Sequence, residues 1–262
     1  MSRPIAAKTK DQVLRTTPAA RTSGTPGPVT LAIDIGGSGV KTMLLDGQGR
    51  PLSDRLRART PNPATPKAIS TIIANLGKQL GKFDRVSVGF PGVIKKGVVC
   101  TAANLDKKWI EYPLAKKLSE QLGKPVRVAN DAVVQGLGAV SSKGVELVIT
   151  LGTGMGAALY LDGIPIPSLE MGHHPFRNGA TYEDELGRRA LDKFGRKKWN
   201  RRLGEAIDRL YRLFYYDRLY IGGGNAAKVT LRLPRNAGII SNQDGILGGI
   251  KLWERDLDEL RQ

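Results

Sequence analysis

Two stretches of the chain repeat one pattern without a gap: VTLAIDIGGSGVKTMLLDG at residues 29–47 and VELVITLGTGMGAALYLDG at residues 145–163. Each copy predicts an apolar strand, a glycine-rich turn, a second apolar strand and a tight Asp-Gly turn. Backbone N–H groups of a glycine-rich turn can close around phosphate oxygens, because no Cβ blocks the approach. The repeat therefore predicts two hairpins that hold a chain of phosphates between them.

The two copies differ at a position that matters for chemistry, because the first carries Asp34 where the second carries Thr150. A carboxylate at the end of a strand can hold Mg²⁺ directly or through water, so Asp34 is the candidate metal ligand. A plain tight turn explains one such motif, but repetition at a fixed offset favours phosphate binding. The candidate phosphate-binding residues lie in or beside the two turns: Gly36, Gly37, Ser38, Lys41, Gly152, Thr153 and Gly154.

The order of predicted elements indicates an α/β protein. Strands alternate with helices along the chain, and the two hairpins require mixed sheets, since hairpin strands are antiparallel. A Rossmann dinucleotide site is excluded because GGSG is followed by the strand-like VKTMLL rather than by a helix. A P-loop is excluded because the sequence contains no GxxxxGK[ST].

Length and composition predict two lobes and a cytoplasmic protein. With 262 residues the chain can bury a full core. We place a flexible extension at residues 1–28, one lobe at residues 29–131 and a second at residues 132–262, whose closing helix can pack back on the first lobe. No apolar run approaches the ~20 residues of a membrane span, so no membrane partner is expected. The single cysteine, Cys100, excludes an internal disulfide framework and a Cys-rich zinc site.

The charge of the chain favours a polyanionic partner. Forty-one Lys and Arg residues oppose 24 Asp and Glu residues, which gives a net charge of +17. Eleven of the basic residues lie between Leu186 and Arg218, against four acidic ones. A solvated helix face is the plain explanation of such a stretch, whereas the two phosphate-type hairpins favour anion binding. Nucleic acid stays open as the competing polyanion.

Asp131 is the candidate general base. It follows Asn130 at the carboxyl end of a predicted strand, where a rigidly held and partly dry carboxylate can accept a proton from a hydroxyl that attacks phosphorus. The alternative is that Asp131 is an ordinary N-cap of a helix that starts at Ala132. The two interpretations are compatible, since capping helps to fix the carboxylate.

Three further groups of residues could bind a ligand through polar side chains or through the backbone. Glu170, His173 and Glu183 suit the hydroxyls of a sugar, which donate and accept hydrogen bonds, although a metal site or a structural pair are alternatives. Asn104 adds an amide suited to a hydroxyl. Gly222, Gly223 and Gly224 follow a predicted strand and can bring backbone against a nucleoside or phosphate, or can form a plain strand-to-helix turn.

Taken together, these segments resemble the ROK family of sugar kinases, in the actin and hexokinase-like superfamily, from about Val29 to Trp253. DIGGSGVK, LGTGMG and IGGGN are similar to the family's two phosphate motifs and its adenosine-type motif. GFPG, TAAN, ND and EMGH are similar to its sugar-site segments. SVGFPGVI, TAANLDKKW, GHHPF and YEDELGRRAL are most similar to the branch of polyphosphate glucokinases and glucomannokinases.

The resemblance implies a fold and a set of roles. The implied fold is a two-lobed actin/hexokinase-like (ribonuclease H-like) one, with a mixed sheet in each lobe and a cleft between them. Asp131 is the implied base, and the implied sugar ligands are Asn104, Asn130, Glu170, His173 and Glu183. The family's cysteine-rich zinc motif is replaced by PFRNGATYEDELG, so no zinc is expected.

The resemblance also implies an activity, which is phosphoryl transfer from inorganic polyphosphate, and also from ATP, to the 6-hydroxyl of glucose with Mg²⁺. We expect the glycines at 222–224 to contact nucleotide and a basic quartet to hold polyphosphate: Arg196, Lys197, Lys198 and Arg201. The family likeness suggests a homodimer. Three alternatives stay open: an ATP-first hexose kinase, a glucomannokinase that also uses mannose, and a sugar-responsive nucleic-acid-binding regulator. The last is disfavoured because 28 residues before the first lobe are too few for a DNA-binding domain, so no specific nucleic-acid partner is expected.

Overall fold

The structure is a computed structural model that describes residues 27–102, 105–167, 169–240 and 242–254. Residues 1–26 of the predicted extension and the predicted amide ligand Asn104 lie outside the described residues. In chain order, the first half contains β1 (Thr30–Gly36), β2 (Gly39–Leu45), β3 (Leu56–Arg59), α1 (Pro66–Leu80), β4 (Arg85–Phe90), β5 (Ile94–Lys95), β6 (Val98–Val99), a 3-10 turn (Lys107–Trp109), α2 (Leu114–Leu122), β7 (Val126–Asn130) and α3 (Asp131–Leu137).

The second half of the chain also begins with a β-hairpin and continues with alternating strands and helices. It contains β8 (Val145–Leu151), β9 (Met155–Leu161), β10 (Ile164–Pro165), a 3-10 turn (Met171–His173), β11 (Pro175–Arg177), β12 (Ala180–Thr181), α4 (Tyr182–Leu186), α5 (Arg188–Phe214), β13 (Arg218–Gly222), a 3-10 turn (Ala226–Lys228), β14 (Ala237–Ile239) and α6 (Asn242–Lys251). Within the described residues, no helix combines the length and apolarity that crossing a membrane requires.

Two five-stranded sheets have the same strand order. The first runs β3-β2-β1-β4-β7 and the second β10-β9-β8-β13-β14. In each sheet the central strand, β1 or β8, pairs antiparallel with the next strand in sequence and parallel with β4 or β13. The prediction of a two-lobed α/β fold with a mixed sheet in each lobe is therefore confirmed.

The two hairpins differ in turn length although their sequences align without a gap. The first closes at the pair Gly36 and Gly39, with two residues in the turn. The second closes at Leu151 and Met155, with a three-residue turn at 152–154. Asp34 consequently faces Lys41 across the first hairpin, whereas Thr150 faces Gly156 across the second. The second turn is wider because its register is shifted by one residue.

Each sheet has its own apolar core, built from the buried runs of its strands. Ile33, Val86 and Val88 belong to the first core, and Leu147, Ile149 and Trp199 to the second. Helix α1 starts and stops where the sequence predicts, whereas α3, predicted from Ala132 to Val140, runs over Asp131–Leu137. In α1, the Thr65 hydroxyl accepts a hydrogen bond from the N–H of Ala68, and Gly81 ends the helix at φ 99°.

The spacing of Leu203, Ile207, Leu210 and Leu213 predicts one apolar face on the helix that became α5, but the helix bends and exposes one of these leucines. It is kinked at Gly195, whose φ is 73°. Leu203 and Leu210 are fully buried, but Leu213 is 61% exposed, so its predicted burial is wrong. Phe214 continues the buried face instead. It lies eleven residues after Leu203, and eleven steps of about 100° return close to the same side of the helix. Phe214 packs against the second core.

Helix α6 from the end of the chain packs on the first sheet, against β1 and β4, and on α3. A Cβ on Gly248 would overlap the carbonyl of Val134, so this glycine permits the close approach. The Ser87 hydroxyl donates to the Gly249 carbonyl at 2.6 Å and accepts from Trp253 Nε1 at 2.8 Å. The sequence predicts a helix over 244–257, of which residues 255–257 lie outside the described residues. In the described part, α6 ends at Lys251 and a turn over 252–254 brings the Trp253 indole to Ser87.

Candidate active site

A cleft of about 600 Å³ lies between the two sheets and gathers most of the predicted site residues. It is lined by the turns that follow β1 and β8, by the start of α3 and by the segment before α4. The predicted residues that line it are Asp34, Gly36, Gly37, Ser38, Lys41, Asn130, Asp131, Gly152, Thr153, Gly154, Glu170, His173, Glu183, Gly223 and Gly224. Gly222 and the basic quartet on α5 do not line it.

The first hairpin presents an ion pair to the cleft. Lys41 Nζ lies 2.6 Å from Asp34 Oδ2, and the two side chains are 31% and 33% exposed. The residues are direct cross-strand partners, so both side chains point to the same face of the sheet. The Thr60 hydroxyl donates to the Gly36 carbonyl at 2.6 Å and ties the end of β3 to the glycine turn. A carboxylate and an ammonium group therefore stand beside the open backbone of Gly37 and Ser38.

Asn130, rather than Asp131, is the N-cap of α3. Asn130 Oδ1 accepts from the N–H groups of Ala132 at 2.9 Å and Val133 at 3.3 Å. Asn130 Nδ2 donates to the Gly92 carbonyl at 3.1 Å. The alternative in which Asp131 serves as the N-cap is therefore wrong, because its neighbour already caps the helix. The amide of Asn130 is committed to the backbone at both ends, and it holds Asp131 at the first position of the helix.

The carboxyl of Asp131 has an unusual protonation equilibrium. Burial, as the largest cause, and the negative charges of Asp34 and Glu170 together raise the pKa of Asp131 to about 7. The N–H of Ala132 and the Lys41 ammonium act in the opposite direction. Asp131 Oδ1 accepts from that N–H at 2.8 Å, which fixes its orientation. A carboxylate with a pKa near neutrality is well matched to accepting a proton from a hydroxyl.

The second turn is held by backbone bonds and by Glu183. The N–H of Gly152 donates to the Gly154 carbonyl at 3.0 Å, and the N–H of Arg188 donates to the Gly152 carbonyl at 3.0 Å. Glu183 Oε2 accepts from the N–H of Met155 at 3.3 Å. A Cβ on Gly152 would meet no atom within 4 Å. Gly152 therefore faces open space in the cleft, as a turn that admits a phosphate must.

Glu170 lies on a strained backbone opposite Asp131. Its φ of 46° is in the left-handed region, which a residue with a Cβ rarely adopts. Burial raises the pKa of Glu170, the nearby His173 opposes that rise, and Glu183 adds to it. His173 Nε2 lies 3.6 Å from Glu170 Oε2. The strain and the grouping of Glu170, His173 and Glu183 on one wall make this wall a candidate for binding hydroxyl groups.

The glycines at 222–224 fill different roles. Gly223 has a φ of 85°, and a Cβ there would overlap the Leu151 carbonyl. A Cβ on Gly222 would lie 2.8 Å from Gln135 Oε1. Gly224 meets nothing within 4 Å and faces the cleft. Two of the three glycines thus serve packing, and Gly224 presents backbone to a ligand.

Sequence reasoning missed some residues of the cleft. Arg55, Arg57 and Arg188 line it. The arginines of β3 are visible in the sequence only as the polar positions of an alternating strand, and Arg188 only as one charge in a basic stretch. Asn225 is also missed: its side chain is buried, its Nδ2 donates to the Gly152 carbonyl at 2.8 Å, and its Oδ1 has no hydrogen-bond partner among the described residues.

Three residues of the basic quartet line another groove. Arg196, Lys197 and Arg201 line a space of about 550 Å³ between α5 and residues 230–231, which shares no lining residue with the cleft. Arg196 Nε donates to the Lys228 carbonyl at 3.0 Å. Lys198 lies 5.1 Å from the ring centroid of Phe194, within cation–π range. The charge maximum along the sequence therefore does not coincide with the cleft.

The carboxylates of the cleft fit a magnesium ion that is shared with a phosphate ligand. Across the described ranges, no group of three or more His, Cys, Asp or Glu side chains is arranged as a complete metal site. Mg²⁺ does not need one, since it is commonly held by one or two carboxylates together with substrate phosphates and water. Asp34, beside the first glycine turn, supplies a carboxylate of this kind.

The two matching sheets, the glycine turns on either side of one cleft and the carboxylate between them define a two-lobed sugar kinase. The family model described as the ROK family matches residues 30–185, and the chain belongs to that family. It is 32% identical over 254 residues to a protein of Mycobacterium tuberculosis (strain CDC 1551 / Oshkosh) named polyphosphate glucokinase, covering 89% of this chain and 96% of the relative.

Solved structures show the same architecture. The inorganic polyphosphate/ATP-glucomannokinase from Arthrobacter sp. strain KM superposes with a TM-score of 0.79 at 31% identity, over 90% of this chain and 100% of that chain. A ROK family glucokinase from Streptomyces griseus in complex with glucose and AMPPNP has a TM-score of 0.74 at 21% identity, over 86% and 98% of the two chains. The second similarity concerns the fold alone.

Proposed function

We propose that this chain transfers the terminal phosphoryl group of inorganic polyphosphate, and also of ATP, to the 6-hydroxyl of glucose, forming glucose 6-phosphate. The observation that carries the proposal is the position of Asp131, whose pKa is raised to about 7, in one cleft with both glycine turns. Similarity over 89% of the chain to a polyphosphate glucokinase, and over 90% to a polyphosphate/ATP-glucomannokinase, supports both donors.

In this proposal Asp131 is the general base. Above its pKa the carboxylate accepts the proton of the sugar hydroxyl as that oxygen attacks phosphorus. Asn130 fixes the start of α3, so the carboxylate keeps its direction while the proton moves. Glu170, His173 and Glu183 bind the remaining hydroxyls of the sugar. This binding aligns the attacking oxygen with the phosphorus. Asn104 belongs to the same set, and its placement lies outside the described residues.

The donor lies between the two turns. Backbone N–H groups around Gly37, Ser38 and Thr153 bind phosphate oxygens, the open face of Gly152 leaves room for them, and Lys41 neutralises part of their charge. Asp34 would hold Mg²⁺, which when bound neutralises charge on the donor phosphates. For ATP, the open backbone of Gly224 is the candidate contact to the nucleoside.

The proposal also covers the distal part of the donor, a second sugar substrate, the oligomeric state and the location of the protein. The basic quartet on α5 stays a prediction for distal polyphosphate, and its separation from the cleft makes it a remote site. Acceptance of mannose is supported by the similarity to a glucomannokinase. A homodimer and a cytoplasmic location are further parts of the proposal. Formation of glucose 6-phosphate with Mg²⁺, measured with polyphosphate and with ATP in turn, tests the proposed function.

A further inference from the structure

Three arginines stand on one side of the edge of the first sheet. Strand β3 is an edge strand that pairs only with β2 among the described strands. Leu56 and Ala58 turn toward the first core, while Arg57 and Arg59 are exposed, as is Arg55 just before the strand. Alternate residues of a strand share a face and lie about 7 Å apart along the chain. The three side chains therefore form a row, here called the arginine row.

Strand register connects this row to the cleft. Asp34 pairs with Lys41 across β1 and β2, and Lys41 pairs with Arg57 across β2 and β3. Direct cross-strand partners point to the same face. Arg57 thus stands one strand beyond Lys41, about 5 Å farther from Asp34. The arginine row extends the positive charge of Lys41 away from the reaction centre.

The space beside the row is continuous with the cleft. Arg55 and Arg57 line the cleft, and Arg59 lines an adjoining pocket of about 790 Å³. Both spaces are bounded by Gly37 and Ser38, so the first glycine turn is where they meet. Asp106 is the acidic residue of the adjoining pocket, and its Oδ1 accepts from the N–H of Lys108 at 2.8 Å.

A glycine in β2 makes room for the central arginine. A Cβ on Gly39 would lie 2.7 Å from Arg57 Nε and 3.2 Å from its Nη2. The side chain of Arg57 therefore lies across β2, with Nη2 3.5 Å from the Ser38 carbonyl. Among the described residues, no carboxylate forms an ion pair with any arginine of the row. A guanidinium group without an acidic partner is well suited to bind phosphate oxygens in a fork.

We propose that the arginine row binds the distal phosphates of a long polyphosphate donor and leads them out of the cleft along the edge of the first sheet. The proposal rests on the proposed function, in which the terminal phosphates lie between the two glycine turns. A compact nucleotide ends near those turns and does not run along the row. Charged residues also protect edge strands from pairing, but protection alone does not require the row to line the cleft.

Kinetics with donors of different length test this proposal. In the double variant R57Q/R59Q, we expect the KM for long-chain polyphosphate to rise about tenfold, since exposed charge contacts each contribute a few-fold. The KM for ATP should rise several-fold less than the KM for long-chain polyphosphate, because a nucleotide reaches at most Arg57 at the cleft end of the row, whereas Arg59 lies in the adjoining pocket. The matched control K78Q/K82Q removes the same charge from exposed positions on or just after α1.

Other results of these kinetic and binding measurements would overturn the proposed role of the arginine row. An unchanged KM for long-chain polyphosphate in R57Q/R59Q, or an equal rise in K78Q/K82Q, overturns the arginine row. A rise in R196Q/K197Q alone also overturns it and places the donor along α5. Loss of single-stranded RNA binding without any change for polyphosphate contradicts the proposed ligand. If the wild type does not use polyphosphate at all, the proposed function fails, and direct binding of labelled polyphosphate to wild type and R57Q/R59Q still tests the row.

Discussion

Glu183 and Gly154 are in such close contact that a Cβ on Gly154 would overlap Glu183 Oε2. The contact joins the second phosphate-type turn to the wall that carries Glu170 and His173. The obstructed atom is the far end of a flexible side chain, so an added methyl group displaces Glu183 rather than the backbone. The glycine in the turn thereby sets the position of a proposed sugar ligand.

This relationship predicts different effects at the two glycines of the turn. In Gly154→Ala, Glu183 is displaced, and we expect kcat/KM for glucose to fall by about 10²-fold, the effect of a misplaced substrate. In Gly152→Ala, the methyl group enters open space, so the KM of the phosphate donor should rise while the KM of glucose is unchanged. Steady-state kinetics with each substrate varied in turn measure both effects. Equal effects on the two substrates in both variants would contradict the assignment.

Removal of the proposed base should slow phosphoryl transfer without weakening the binding of glucose. Asp131→Asn keeps an oxygen that can accept from the N–H of Ala132, so α3 should be preserved. We expect kcat to fall by about 10²–10⁴-fold, the usual contribution of a general base. Glucose binding, measured by calorimetry, should stay close to the wild-type value. Near-normal turnover would remove Asp131 from this role.

The same variant should be more stable than the wild type at alkaline pH. A carboxyl whose pKa is raised by folding stabilises the folded state below its unfolded pKa, and this contribution is lost as pH rises through the folded pKa. For Asp131 that window runs from 3.8 to about 7. We expect Asp131→Asn to gain about 1–3 kcal/mol at pH 8 and nothing below about pH 4. Urea unfolding at both pH values measures this, and a pH-independent difference would contradict it.

The titration of Asp131 can be observed directly in the ligand-free protein. In ¹³C NMR spectra of the aspartate carboxyls, the signal absent from Asp131→Asn should titrate near pH 7. Asp34→Asn should lower that midpoint, because the negative charge of Asp34 raises the pKa of Asp131. Correspondingly, kcat/KM should decline as pH falls through this range, since the base becomes protonated. A midpoint below about 5 would contradict the described electrostatics.

The local parts of the fold are predictable from sequence because they depend on neighbouring residues. The apolar runs and glycine turns predict both hairpins, and Thr65-Pro66 predicts the start of α1. The turn lengths are not predictable in this way. Gly36 closes on Gly39 but Leu151 closes on Met155, since register depends on packing across strands and not on the order of residues.

In the candidate site, too, single residues are predictable from the sequence, but their contacts with distant segments are not. The sequence predicts Asp131 as the candidate base, but its closeness to Asp34 and Glu170, which raises its pKa, follows from contacts between distant segments. Charge density along the chain points to α5, but of the basic residues of that helix only Arg188, at its start, lines the cleft, beside Arg55 and Arg57 from the first sheet. Alternation in β3 shows that its arginines are exposed, but only strand order and register show what they face.

Phosphoryl transfer from polyphosphate to glucose is the proposed function of this chain. The most direct measurement is glucose 6-phosphate formation with Mg²⁺ at matched low ionic strength, with nucleotide-free polyphosphate and ATP compared as sole donors. Asp131→Asn serves as the control for contaminating kinases. We predict product from both donors in the wild type and almost none in the variant. Product from ATP alone would contradict the polyphosphate assignment, and no product from either donor would contradict the account as a whole.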